Sequence, residues 1–355
     1  MDHRELLRVE DLPVLQNKVY PHAEAARSAP RGRMVLAQSR ANGLIFNSAF
    51  DPDLLSYDAD YQNEQACSPV FREHLDNVLG IVRRHFRTPS LIEVGCGKGY
   101  FLEHLRAAGY DATGIDPAYE GDSPHVVKAA FSEALGMTAE AIVLRHVLEH
   151  IRDPLSFLRA VARANGGQGK IYIEVPCFDW ICERRAWFDI FYEHVNYFRA
   201  ADFRRMFGQI DEMGHLFGGQ YQYIVADLST LRDLAPEASE FALPEDFLGG
   251  IERSKALARS TEGPKAIWGA SSKGVIFAHH LEREGITLDL AIDINPVKQQ
   301  RYMAGTGLRI LSPSEALQAL PANSLVFVMN SNYFDEIAQQ SHHRFHLVKV
   351  DQHDF

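Results

Sequence analysis

The chain has 355 residues and a formal net charge of −11, with 46% hydrophobic and 23% charged residues. That length is enough for two or three domains with cores of their own, and an acidic balance without a basic block disfavours a nucleic-acid substrate. No apolar run approaches a membrane span, the charged start Met1-Asp-His-Arg-Glu is unlike a signal peptide, and four cysteines (Cys67, Cys96, Cys177, Cys182) lack C-x-x-C or metal-ligand spacing, so a reduced, cytoplasmic protein without disulfides is expected.

Residues 1–70 read as a small, irregular β module. Pro13, Pro21, Pro30, Gly32 and Gly43 punctuate short apolar pieces such as Met34–Ala37 and Gly43–Phe46. Apolar residues at 71, 75, 78, 79, 81 and 82 predict a helix over Phe71–Arg84. Strands at 91–95, 111–115, 141–145 and 170–175 then alternate with helices near 99–108 and 153–164, which predicts a parallel, doubly wound sheet over 71–230. Two further strands, near 212–217 and 221–228, would close it as antiparallel edges, giving seven strands in all. Residues 229–262 read as a polar, helical connector broken by Pro236 and Pro244. A second Rossmann-like sheet follows within 231–355, carried by Ala266–Trp268, Leu288–Asn295, Ser324–Met329 and His346–Val350.

Three stretches carry chemistry. In the first, Leu91-Ile-Glu-Val-Gly-Cys-Gly-Lys-Gly99, glycines at 95, 97 and 99 allow a tight turn and close approach to a ligand, and Asp116 stands where an acid meets ribose hydroxyls. The bland reading of Asp116 is a solvated loop acid or helix cap. The second is the strand Ala141–Arg145 and the polar turn after it. Ligands of doubly wound sheets sit beyond the carboxyl ends of strands, which places Arg145, His146 and His150 on the ligand side unless the histidines merely fill the strand end. The third, Trp187–Phe198, sets adjacent Glu193 and His194 among aromatics that exclude water and tune an imidazole. A buried structural pair is the competing reading. Later, Gly269-Ala-Ser-Ser-Lys-Gly274 at a helix start is either a phosphate-binding turn, with Lys273 adding charge, or a plain tight turn.

The G-x-G-x-G turn preceded by Glu93 and followed by Asp116 resembles motif I of the class I S-adenosylmethionine (SAM) methyltransferases. Tyr192-Glu-His-Val-Asn-Tyr-Phe198 resembles the active-site segment of the deoxysugar C-methyltransferases. The stretches Ile267–Ile276, Ile292–Lys298, Gly305–Gly307 and Met329–Tyr333 resemble that family's C-terminal domain, in order. The resemblance implies an α/β fold: a class I methyltransferase sheet, a second Rossmann-like domain and a small N-terminal module. It implies SAM as cofactor, held by Glu93, Gly95, Gly97, Gly99, Asp116, Arg145 and His146. It implies a small-molecule acceptor, a nucleotide-linked keto sugar methylated on the carbon beside its carbonyl. His194 is then the base, with Glu193, His150, Tyr192 and Tyr61 beside it. An O- or N-methyltransferase on the same scaffold, and a non-catalytic SAM-fold binding protein, are the alternatives. Two departures stand out. Members of that family usually carry an N-terminal zinc site, whereas the matching positions here are Gln16 and Ser39-Arg-Ala-Asn42-Gly43, so no structural zinc is expected and packing must hold the module. The family tyrosine three residues before the histidine is Phe191, with Tyr192 one step along.

Overall fold

The second and largest sheet is built as the hydrophobic pattern dictates. In the computed structural model, which describes residues 2–55, 60–87, 89–237 and 239–352, seven strands run in the order Ile210–Leu216, Tyr221–Asp227, Lys170–Pro176, Ala141–Arg145, Ser90–Val94, Asp111–Ile115 and Val126–Val127. The five strands from Lys170–Pro176 onward are mutually parallel, and the two at the other edge are antiparallel. The central strands are buried on both faces, which is why they read as unbroken apolar runs rather than alternating ones. The helix Pro69–His85 begins at Ser68, whose Oγ accepts from the amide of Phe71, and lays Phe71, Leu75, Val78 and Val82 against this sheet.

A five-stranded parallel sheet follows, ordered Ile310–Leu311, Leu290–Ile292, Lys265–Trp268, Leu325–Val328 and His346–Lys349. Its helix Ser272–Arg283 buries Val275, Ile276, Phe277 and Leu281.

The N-terminal region is more regular than its proline and glycine content indicated. His3–Pro13 is an eleven-residue strand, paired with Arg31–Ser39 and interrupted by two register shifts that break its alternation. The sheet continues through Ile45–Asn47 to a short strand, Asn196–Tyr197, contributed from far along the chain. Val19–Tyr20 pairs with Tyr302–Met303, so the first segment also joins the last. Leu12, Met34, Leu36 and Ile45 share one apolar core with Phe178, Trp187, Phe188, Ile267 and Phe277. Packing of this kind can hold the module without a metal.

The connector differs from expectation. Helix is confined to Gly249–Ser260, while residues 231–237 and 239–248 run without helix, the first beside Met206–Phe207 and, in the second, Ser239–Phe241 along the N-terminal strand Arg31–Ser39. The reason is visible in the bonds: Gln38 donates to Ser239 O and accepts from Phe241 N, and the Phe241 ring packs tilted against Phe178, centroids 5.5 Å apart. Docking against an existing surface outweighs the weak local helix preference.

Candidate active site

A cavity of about 400 Å³ lies where the two parallel sheets face each other. Its wall includes Glu93, Gly95, Cys96 and Gly97 after the first parallel strand, and Arg145, His146, Glu149 and His150 after another. Tyr61, Phe191 and His194 also line it, as do Gly269, Ser271, Ser272 and Lys273 from the second sheet. Both sheets thus present the carboxyl ends of their strands to one space, where loops of α/β folds bind ligands.

The glycine loop is shaped by its backbone. Gly95 has φ +74, and a Cβ there would stand 2.3 Å from Val147 Cγ2. Gly97 has φ +53, yet a Cβ on it would meet nothing within 4 Å. Its openness is toward the space a ligand takes. Asp116 sits behind the loop rather than in the cavity wall. Its carboxylate accepts from Gly97 N and Ala118 N, each at 2.8 Å, and so latches the turn. Gly99 likewise lies off the cavity wall and serves as N-cap of the helix Tyr100–Ala107, at φ +82.

Glu93 is buried, and among the described residues its Oε2 has no hydrogen-bond partner. Burial is the main cause that lifts its carboxyl to about 8; Arg145 pulls the other way and Asp116 adds to the rise. A solitary buried carboxyl lining a cavity beside an open glycine fits the ammonium of an amino-acid tail, and in this sense the residues present suit SAM.

Arg145 and His146 line the cavity but are held from behind by buried acids. Arg145 forks onto Glu174, with Nη2 to Oε1 at 3.3 Å and Nε to Oε2 at 3.4 Å, and lies over the Phe101 ring. His74 and His146 also reach Glu174 Oε1, at 2.9 and 3.0 Å, and the Tyr172 hydroxyl donates to Oε2 at 2.7 Å. Burial opposes charge on His146, but Glu149 and Glu174 outweigh it and raise its pKa to about 9. Burial likewise opposes charge on Glu174, yet Arg145, His146 and His74 hold its carboxyl well below the usual range. Glu174 and Glu149 escaped notice in the sequence. The signal for Glu174 was a lone carboxylate inside the apolar strand Lys170–Pro176; buried in a core, such a group must gather cations.

The third stretch divides in two. Tyr197 closes it, its hydroxyl accepting from Phe191 N at 3.0 Å and donating to Phe191 O at 3.1 Å. Asn47 N donates to Val195 O at 2.7 Å, and Asn196 Nδ2 to Ile151 O at 2.6 Å. Held this way, Phe191 and His194 line the cavity, with ring centroids 4.0 Å apart. The His194 imidazole is kept well below its ordinary pKa, by burial first and then by His150, His146 and Lys273. His150 stands edge-on to it at 5.0 Å and donates Nδ1–H to Glu193 O at 2.9 Å.

Tyr192 and Glu193 turn away from the cavity, contrary to the role expected of them. Tyr192 and Glu193 are the central residues of a turn closed by His194 N donating to Phe191 O at 3.3 Å, which leaves Phe191 and His194 on the cavity side. The Tyr192 ring is fully buried with Val14 and Leu15, its hydroxyl accepting from Asp51 N at 2.8 Å. Glu193 Oε1 accepts from Gln16 N at 2.7 Å and Oε2 from the Tyr61 hydroxyl at 2.5 Å. Burial raises the Glu193 carboxyl, against the pull of His150 and these donors. Tyr61 reaches the cavity wall; residues 56–59, including Tyr57, lie outside the described set.

Lys273 is also committed elsewhere. It pairs with buried Asp189 at 3.0 Å and lies over Trp180, so its charge is already neutralised. In the same wall, Asp293 Oδ2 accepts from Ala270 N at 3.1 Å and pairs with Lys298 at 3.3 Å. At the former zinc positions, Asn42 Oδ1 accepts from Leu44 N and the Gln16 amide donates to Pro13 O. Side chains spent on backbone groups, with no thiolate, do not make a zinc donor set at that turn.

Comparison with known proteins gives these features a common origin. Residues 61–211 match a methyltransferase domain and residues 252–347 a C-methyltransferase C-terminal domain. The C-methyltransferase NovU of Streptomyces niveus is 24% identical over 333 residues, covering 81% of this chain and 78% of that protein. A ubiquinone biosynthesis O-methyltransferase of Ruegeria pomeroyi is 33% identical over 101 residues, 24% of this chain and 40% of its own. The SAM-bound magnesium protoporphyrin IX methyltransferase of Synechocystis is similar over 44% of this chain and 79% of its own, at 15% identity and a TM-score of 0.33. A methyltransferase domain, whose glycine loop and Glu93 suit SAM, is thus joined to a C-methyltransferase C-terminal domain: the chain is a SAM-dependent methyltransferase, similar over most of its length to a C-methyltransferase.

Proposed function

We propose that the protein methylates a carbon beside the carbonyl of a nucleotide-linked keto sugar, with His194 as the base. One observation carries this reading: a single cavity is lined by the Gly95–Gly97 loop, by His194, and by the Gly269–Lys273 turn of the second sheet. The similarity to NovU over most of both chains supports carbon as the acceptor atom.

SAM supplies an electrophilic methyl on a sulfonium. The protein's tasks are to hold the acceptor, remove a weakly acidic proton and favour the enolate. Glu93 receives the ammonium of the cofactor tail, and Asp116, bonded to Gly97 N and Ala118 N, holds the turn against which the cofactor lies. His194 offers a lone pair to the carbon-bound proton from a wall where Phe191 excludes water. Tyr61 and His150 stand in the same wall as His194, while position 191 carries no hydroxyl. With Lys273 paired to Asp189 and Lys298 to Asp293, the diphosphate of a nucleotide falls to the backbone amides of Ser271–Lys273 at the start of the helix Ser272–Arg283.

The test is a screen of nucleotide-linked keto sugars with SAM, reading the methylated atom by mass spectrometry and NMR. A new carbon–carbon bond next to the carbonyl is expected. A methyl found on oxygen or nitrogen would replace this reading with that of an O- or N-methyltransferase.

A further inference from the structure

Glu149, His150 and His194 form a second constellation in the cavity wall. Among the described residues, their ligand-capable atoms lie within 4.8 Å of one another. Glu149 is 1% exposed, and among the described residues neither of its oxygens has a hydrogen-bond donor and its one ion-pair neighbour is His146, at 3.3 Å from Oε1. A buried carboxylate so poorly served has unmet demand for positive charge. The two imidazoles complement it. The partner of His150 Nδ1 is the carbonyl of Glu193, which only accepts, so Nδ1 carries the hydrogen and Nε2 keeps its lone pair. A ring whose other nitrogen donates to a backbone carbonyl is the usual posture of a metal-binding histidine, because that bond fixes tautomer and orientation. His194 makes no side-chain hydrogen bond among the described residues and faces the same space.

The geometry points to a site for a divalent transition cation of the zinc class, held by Glu149, His150 and His194 and open on the cavity side. Two imidazoles and a carboxylate are the borderline donors that suit such ions, and three protein ligands leave a coordination position free. The cation takes up the lone pair of His194. On the reading of that residue as base, which this consequence alone rests on, metal and catalysis exclude each other. The protein is then active metal-free and silenced by the ion. The other cluster of this type, His74, His146 and Glu174, is less suited: its shared carboxylate is already saturated by Arg145, Tyr172 and both histidines.

The experiment uses tag-free, chelator-treated, full-length protein titrated with Co²⁺, followed by visible absorption and calorimetry. One saturable ion per chain with a ligand-field spectrum is expected. His150→Ala and Glu149→Gln should each weaken binding by more than about tenfold, as ligand losses do, while His74→Ala leaves it unchanged. SAM binding shows that each variant is folded; should Glu149→Gln fail this check, His194→Asn replaces it. No saturable Co²⁺ binding, or binding indifferent to His150→Ala, overturns the site. Zn²⁺ added to the active enzyme should raise the apparent KM for the acceptor, leave SAM binding intact and be reversed by chelator. Intact Co²⁺ binding without this inhibition would keep the site and count against His194 as base.

Discussion

The Tyr61 hydroxyl donates to Glu193 Oε2 at 2.5 Å, joining a residue of the N-terminal segment to the neighbour of His194. The other Glu193 oxygen accepts from Gln16 N at 2.7 Å. One buried carboxylate therefore ties two N-terminal segments to the loop that carries the imidazole. Tyr61→Phe removes one bond to a charged partner and should cost about 1.5–3 kcal/mol of stability, with a modest loss of turnover. Glu193→Ala strands Gln16 N and Tyr61 together and should cost more on both counts. Thermal denaturation and steady-state kinetics of the two variants check the order; equal behaviour would count against Glu193 as the tie.

His194→Asn should lower turnover by about 10²–10⁴, the usual worth of a general base, while SAM affinity stays within the range of the parent protein. Single-turnover methyl transfer together with calorimetric SAM binding separates the two quantities. Near-parental turnover would require another base.

SAM affinity should depend on pH through Glu93. Its carboxyl is raised to about 8, so below that pH the free protein holds a proton there. Pairing with an ammonium requires the carboxylate, so binding releases that proton. Affinity is then weakest in acid, rises with pH by up to about tenfold per unit, and levels off near 8. Glu93→Gln should flatten the profile and lower the plateau. Calorimetry in buffers of different ionisation enthalpy reads the proton release directly.

Glu174→Gln removes the charge on which Arg145, His74 and His146 converge. Breaking a buried pair leaves its partners uncompensated, and a loss of about 3–5 kcal/mol is expected. Chemical denaturation measures it. A near-neutral substitution would show that the cluster relaxes by shedding protons.

Gly97→Ala distinguishes ligand space from folding space. The new methyl meets no protein atom within 4 Å, although φ is +53. Only the left-handed strain of about 1–2 kcal/mol applies to stability. SAM binding should fall by more than that strain explains. Gly95→Ala, which drives a methyl into Val147, should instead destabilise the fold itself.

The sheets were legible because burial on both faces writes continuous apolar runs, as at 91–95 and 141–145, and because the glycine turn follows one of them. The G-x-G-x-G turn and His194 could be found as local patterns. What was hidden depends on contacts distant in sequence. Nothing local tells that Lys273 turns inward to Asp189, that Glu193 faces the first segment rather than the ligand, or that Ser239–Phe241 follow a strand near the N-terminus. The strand His3–Pro13 was obscured by its two register shifts, which scramble the period-two pattern. Side-chain direction at Phe191 and Tyr192 is set by the turn over Tyr192–Glu193, which no periodicity reveals.

The two-residue strand Asn196–Tyr197 has a consequence for how the molecule comes into being. It follows His194 directly, and its hydrogen-bonding partner is Ile45–Asn47. Synthesis delivers those partner residues long before the loop they will support, so the early strands must wait for the middle of the chain. The working centre then assembles late, as a product of complete folding. A fragment starting at the helix Pro69–His85 retains all seven strands of its sheet and the helix that covers them, and still leaves His194 unmoored.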